Sequence, residues 1–221
     1  MITTLSFALG VAMCSASTPG FESLIQPVVA DSTYKALYEG GEPFSDFVAQ
    51  ATARKEQWEA NYAKGVAPDA LVTRASASGS GWKLLVVTVP GCSDSVNIVP
   101  YIASLLDKVP SVEMRLINAT VGKEVMETHR TPDGRGATPT VILLDAEFNE
   151  RGCWVERPAT LVDLMKNGTD FEGKMAWYDK DNGASSLEEI VQVIEAAHAG
   201  SKKCAPQEEK GSDAISRGAG W

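Results

Sequence analysis

Between Leu84 and Pro100 the chain reads LLVVTVPGCSDSVNIVP, an apolar, β-branched run cut by Pro-Gly and followed at once by helical spacing. No charged residue interrupts 84–89, so this run predicts a strand buried on both faces. Pro90-Gly91 ends it. Val96, Val99, Ile102, Ala103 and Leu106 then recur at the spacing of one helix face, which puts Cys92 in the first turn of that helix. Unpaired N–H groups and the helix dipole at such a start favour a thiolate over a thiol, so Cys92 is the candidate nucleophile. Ser95 stands three residues on, where a second cysteine would complete a dithiol.

The segments around this strand set the fold class. Residues 112–117 (VEMRLI) alternate as a strand, 121–130 read as a short helix, and Thr131-Pro132-Asp133-Gly134 closes it with turn residues. Residues 138–145 (TPTVILLD) read as a strand beginning at a proline, where no ladder donor is needed. Phe148 and Asn149 turn the chain into 152–156, an antiparallel partner strand. Pro158 opens a helix through Met165, and 185–199 form a last helix. There Ser185 and Glu188 make a capping box over the stripe Leu187, Ile190, Val191 and Ile194. Upstream, Phe44, Phe47, Val48, Ala51, Trp58 and Tyr62 predict one long amphipathic helix from Pro43. A shorter helix at 67–75 and a flexible joint at 76–81 (SASGSG) follow. The order predicts one α/β layer, a central mixed sheet flanked by helices, with the first three strands parallel and the hairpin strand antiparallel.

With 221 residues, 44% of them hydrophobic, the chain can bury one substantial core. A formal charge of −9 repels nucleic acid and anionic membrane surfaces, which leaves a small molecule or a protein as partner. Cys14, Cys92, Cys153 and Cys204 lie far apart and only two histidines accompany them, so no metal is expected and no cofactor is implied. Residues 1–40 read as a lead-in with a short helix at 21–25, residues 41–200 as one domain with helical extensions, and residues 201–221 as a disordered tail. Residues 5–13 are apolar and precede small residues, so 1–16 has the form of a signal segment, although Met1-Ile2-Thr3-Thr4 carries no positive charge. The chain is read as cytoplasmic, with export through that segment as the alternative. No run reaches the roughly 18 apolar residues of a membrane span.

Cys92-Ser93-Asp94-Ser95 at a strand-to-helix junction, Pro100 behind it, and Thr138-Pro139 about one βαβ unit later resemble three landmarks of the thioredoxin-like superfamily. These are its active-site motif, its kinked second helix and its cis-proline. More narrowly, GCSDSVNIVP, ATPTVILLD and the WVERP of 154–158 resemble a bacterial thioredoxin-like subfamily with a W-C-x-D-S motif. The resemblance spans 44–165 and implies a thioredoxin fold. It implies that Cys92 is the attacking cysteine, that Pro139 is the cis-proline, and that the backbone of Thr138 pairs with a bound peptide or thiol. Gly91 and Asp94 would line the same site.

Three departures count against dithiol turnover. Ser95 replaces the resolving cysteine, Gly91 stands where tryptophan is usual, and Val86 occupies the place of a buried carboxylate that would move protons. The resemblance therefore implies thiol exchange in which Cys92 forms a mixed disulfide with a protein or low-molecular-weight thiol and an external thiol releases it. A non-catalytic protein-binding module that keeps the groove at Pro139 is the alternative. An iron-sulfur site of the monothiol glutaredoxin kind is disfavoured, because C-G-F-S is absent.

Among the remaining candidates, Asp94 adds a negative charge that opposes the thiolate, and an acid at a helix start is in any case worth about 0.3–1 kcal/mol. Ser95 would donate its hydroxyl to a Cys92 thiolate or simply fill the turn. Cys153 reads as a core cysteine and Cys204 as an exposed tail thiol between lysines and alanine. His129 and His198 take surface or helix-end roles, and Arg157-Pro158 fixes a strand-to-helix corner.

Overall fold

The computed structural model describes residues 31–206; the segment 1–16, the helix expected at 21–25 and Cys14 lie outside the described residues. Five strands form one sheet in the order β2-β1-β3-β4-β5. They are β1 (Trp82–Thr88), β2 (Val112–Asn118), β3 (Thr140–Leu144), β4 (Glu150–Val155) and β5 (Lys203–Ala205). As the sequence predicts, β1 is buried on both faces: Leu84 and Val86 enter one core, Leu85 and Val87 the other. α1 (Asp31–Glu39) covers the second core with Tyr34 and Tyr38. The first core takes α2 (Phe44–Ala49), α3 (Lys55–Lys64), α4 (Asp69–Ala77), α5 (Ser93–Val96) and α6 (Val99–Leu106). α7 (Lys123–Thr128), α8 (Ala159–Lys166), α9 (Phe171–Asp181) and α10 (Ala184–His198) complete the chain's helices among the described residues.

The mixed α/β sheet agrees with the sequence, but the direction of β3 does not. β1 and β2 are parallel, whereas β3 runs antiparallel to β1 and β4 antiparallel to β3. The connection, residues 119–139, is long enough for a crossover, so its course decides the direction. α7 stays at the far end of β1, where a Cβ on Gly122 would lie 2.5 Å from Val87 Cγ1. The chain therefore enters β3 at Thr140 opposite Val87 and must run back along β1.

Two predicted helices are divided. The stripe from Phe44 to Tyr62 breaks between α2 and α3, where Arg54 takes a left-handed φ of 56°. The helix opened by Cys92 is a single turn, α5, and α6 begins afresh after Ile98, whose ψ of −54° follows a φ of −128°. The capping box at Ser185 does not form: Gly183 is the cap, Ser185 Oγ donates to Asp181, and Glu188 accepts from Arg74 instead.

The expected disordered tail is ordered in its first residues. β5 pairs parallel with β4, and Cys204 forms a disulfide with Cys153, so neither residue is the free thiol expected of it. Gly152 permits the approach, since a Cβ there would lie 2.7 Å from the Lys203 carbonyl oxygen. By closing a loop across a sequence separation of 51, the bond restricts the unfolded chain by about 4 kcal/mol. Cys204→Ser should lower the unfolding free energy by up to about that amount in denaturant titrations. Labelling of the native protein should modify Cys92 while sparing Cys153 and Cys204 until a reductant is added.

Candidate functional site

The thiol turn is assembled from three directions. β1 delivers the chain to Pro90-Gly91, and α3 holds that turn from behind: the fully buried Trp58 donates its indole N–H to the Pro90 carbonyl at 3.0 Å. Arg54 Nε donates to the Gly91 carbonyl at 3.1 Å, and Asn61 caps the end of α5 by donating to the Val96 carbonyl at 2.8 Å. Cys92 is the N-cap of α5 and half-buried. Its Sγ donates to the Thr138 carbonyl at 3.2 Å and accepts from the Ser95 backbone N–H at 3.4 Å. The bond from Thr138 to Pro139 is cis, as the sequence reading expects. The Pro139 carbonyl accepts from the Glu156 N–H at 2.8 Å, so the end of β4 fixes this loop beside the thiol.

The structure thus brings Cys92, Thr138, Ser95, Gly91 and Asp94 around one turn, but it changes how two of them act. Ser95 meets the sulfur through its backbone N–H; its hydroxyl is fully buried and has no hydrogen-bond partner among the described residues. A one-turn helix also supplies far less dipole than the long helix expected from the sequence. Gly91 is exposed and adds no wall.

Asp94 is neither a solvated helix-start charge nor a base. It is 5% exposed and accepts from Tyr178 Oη at 2.7 Å, from Arg157 Nε at 3.0 Å, and from Lys174 Nζ at 3.2 Å to each oxygen. Burial alone would raise its pKa, yet the hydrogen bond and charge of Arg157, with the charge of Lys174, hold that pKa below the ordinary carboxylate range. A carboxylate already accepting from three donors takes no proton from Cys92. Tyr178 moves the opposite way, pushed far up by burial and by the Asp94 charge. Lys174, 4% exposed, also donates to Ser93 Oγ at 2.9 Å. Arg157 continues to Glu156 at 2.9 Å, and Glu156 to Arg135 at 3.2 Å.

Sequence reasoning missed α9, Lys174, Tyr178 and Arg54. No apolar stripe marks α9, because the side chains it buries are Lys174 and Tyr178. A charged residue two places after a candidate cysteine was the one available signal, and it does not reveal a partner 80 residues away.

A cavity of about 350 Å³ is lined by Asp133, Arg135, Glu156 and Arg157, the outer part of this charge cluster, whereas another lies apart from it. A cavity of about 540 Å³ is lined by Phe44, Val48, Tyr62, Leu106 and Met114, and none of the residues around Cys92 belongs to it. Among the described residues no cluster of His, Cys, Asp and Glu is placed to hold a metal ion, and no helix is long and apolar enough to cross a membrane.

Replacing Asp94 by Asn leaves Lys174 buried without its counter-charge and Arg157 with Glu156 alone, which costs about 3 kcal/mol at neutral pH. The carboxylate's acidity is strengthened on folding, so its contribution is fully present above about pH 4, its ordinary value, and fades as pH falls below that. Unfolding curves of wild type and Asp94→Asn should therefore differ by about that amount at neutral pH and converge in acid. A difference under about 1 kcal/mol would return Asp94 to the helix-start role.

The comparisons with known proteins agree with this architecture. The family model described as thioredoxin matches residues 41–172. A solved protein of unknown function from Pseudomonas aeruginosa is 25% identical, with a TM-score of 0.64 over 74% of this chain and 98% of that one. An HIV epitope-scaffold aligns with a TM-score of 0.63 at 23% identity, over 74% of this chain and 98% of its own, and shows the fold alone. No curated protein matches the chain. The family match spans more than half of the sequence and covers the strand, the thiol turn and the cis-proline, so the chain belongs to the thioredoxin family.

Proposed function

We propose that this protein exchanges disulfides through Cys92 alone, forming a mixed disulfide with a protein or low-molecular-weight thiol that an external thiol then releases. The observation that carries this reading is the isolation of the sulfur. Cys92 is the free cysteine among the described residues, half-buried beside the cis Thr138-Pro139 loop, while Cys153 and Cys204 are bonded to each other.

The residues support a short sequence of steps. Cys92 loses its proton to solvent, since Val86 is apolar and Asp94 is saturated by its donors. The Ser95 N–H stays aimed at the sulfur. Attack on a disulfide forms a bond between Sγ and one substrate sulfur as the substrate's own S–S bond breaks, and the second sulfur leaves as a thiolate. With Ser95 unable to attack, a second thiol from outside breaks the mixed disulfide and returns Cys92 to its free form. The open Gly91 side leaves room for that incoming thiol.

Insulin reduction with excess dithiothreitol tests the assignment. The wild type should barely exceed the uncatalysed rate, and Ser95→Cys should raise it, because a cysteine there can resolve the mixed disulfide internally. Wild-type turnover matching that of Ser95→Cys would contradict the single-thiol reading. A Ser95→Cys variant that is folded yet inert would favour a groove that binds polypeptide without redox chemistry.

A further inference from the structure

Resting on the thiol-exchange reading, we infer that Lys174 and Asp94 act as opposed positioning residues for Cys92, so that α9 sets how readily the thiol ionises. Lys174 Nζ reaches the two residues that follow Cys92, donating to Ser93 Oγ at 2.9 Å and to both Asp94 oxygens at 3.2 Å. This clamp holds the turn whose Ser95 N–H points at the sulfur.

The charged groups facing the turn come from every element packed on it. α5 supplies Asp94, α9 supplies Lys174 and Tyr178, and the corner after β4 supplies Glu156 and Arg157. Arg135, ahead of β3, pairs with both Glu156 and Asp133, and Arg54 touches the Gly91 carbonyl. Within the buried cluster and its extension, the carboxylates Asp94, Glu156 and Asp133 are matched by Lys174, Arg157 and Arg135. The cluster is balanced, so removing one charge leaves a field of the opposite sign beside the thiol. A structural brace would respond alike to loss of either partner. An electrostatic setting must respond with opposite signs.

The test is the rate of Cys92 alkylation by iodoacetamide between about pH 5 and 10, in the full chain with Cys14→Ser and the Cys153–Cys204 disulfide intact. Asp94→Asn should raise the neutral-pH rate about threefold and move the profile to lower pH. A tenfold gain in thiolate is offset by about a threefold loss of intrinsic nucleophilicity. Lys174→Met should lower the rate by a similar factor and move the profile the other way. The double variant should return close to wild type, and Lys174→Arg, which keeps the charge, should retain the wild-type profile.

Singles that shift in the same direction, or not at all, while circular dichroism shows them folded would overturn the inference and leave the exchange reading standing. If Asp94→Asn fails to fold, Lys174→Met against Lys174→Arg decides: equal profiles overturn the inference and separated ones support it. A wild-type Cys92 that reacts only after unfolding would overturn the exchange reading and the inference together.

Discussion

The double-sided burial of β1 is the constraint from which the rest follows. Leu84, Leu85, Val86 and Val87 are each at most 1% exposed, and no charge can be accommodated along them. A strand so placed must have a neighbour on either side and helices on either face, which β2, β3, α1 and α6 provide. It must also discharge its chain at one end of the sheet, where Pro90-Gly91 turns it into the Cys92 cap. The position of the thiol is therefore a consequence of hydrophobic burial, and its chemistry comes from what later parts of the chain bring to that end.

What they bring is a buried charge cluster in place of a second thiol. Buried ion pairs seldom add net stability compared with apolar packing, since desolvation offsets the attraction. Their value here is geometric: the carboxylate of Asp94 accepts from a tyrosine, an arginine and a lysine drawn from two separate segments, and this ties α9 and the corner after β4 to the thiol turn. The same arrangement withdraws Asp94 from proton transfer. Among the described residues no second free cysteine stands beside Cys92, and under the proposed exchange reading its release therefore falls to an external thiol.

The sequence exposed the parts of this design that are local. A β-branched run followed by Pro-Gly, the cysteine turn, the Thr138-Pro139 pair and the stripe of α10 each follow from neighbouring residues. Features set by distant partners stayed hidden. Asp94 looked like an ordinary helix-start acid because its partners lie 63, 80 and 84 residues away. Cys204 looked like a stray thiol because its pairing depends on β5 lying beside β4, which three residues do not announce. The direction of β3 is not legible in element order, because a helix between two strands makes a crossover only if the chain returns along the sheet, and here it enters β3 opposite Val87, where Gly122 also packs. The break at Arg54 was hidden because a left-handed residue inside an apolar stripe leaves the hydrophobic spacing on both sides intact.

The central claim is that one sulfur, acting alone, forms and releases mixed disulfides in the folded protein. Incubation of the native chain, with Cys14→Ser, with glutathione disulfide followed by intact-mass and peptide analysis tests it most directly. The account predicts a single adduct on Cys92, removed by added thiol, with the Cys153–Cys204 bond unchanged. A folded protein that takes no adduct, while the unfolded chain takes one at Cys92, would contradict it.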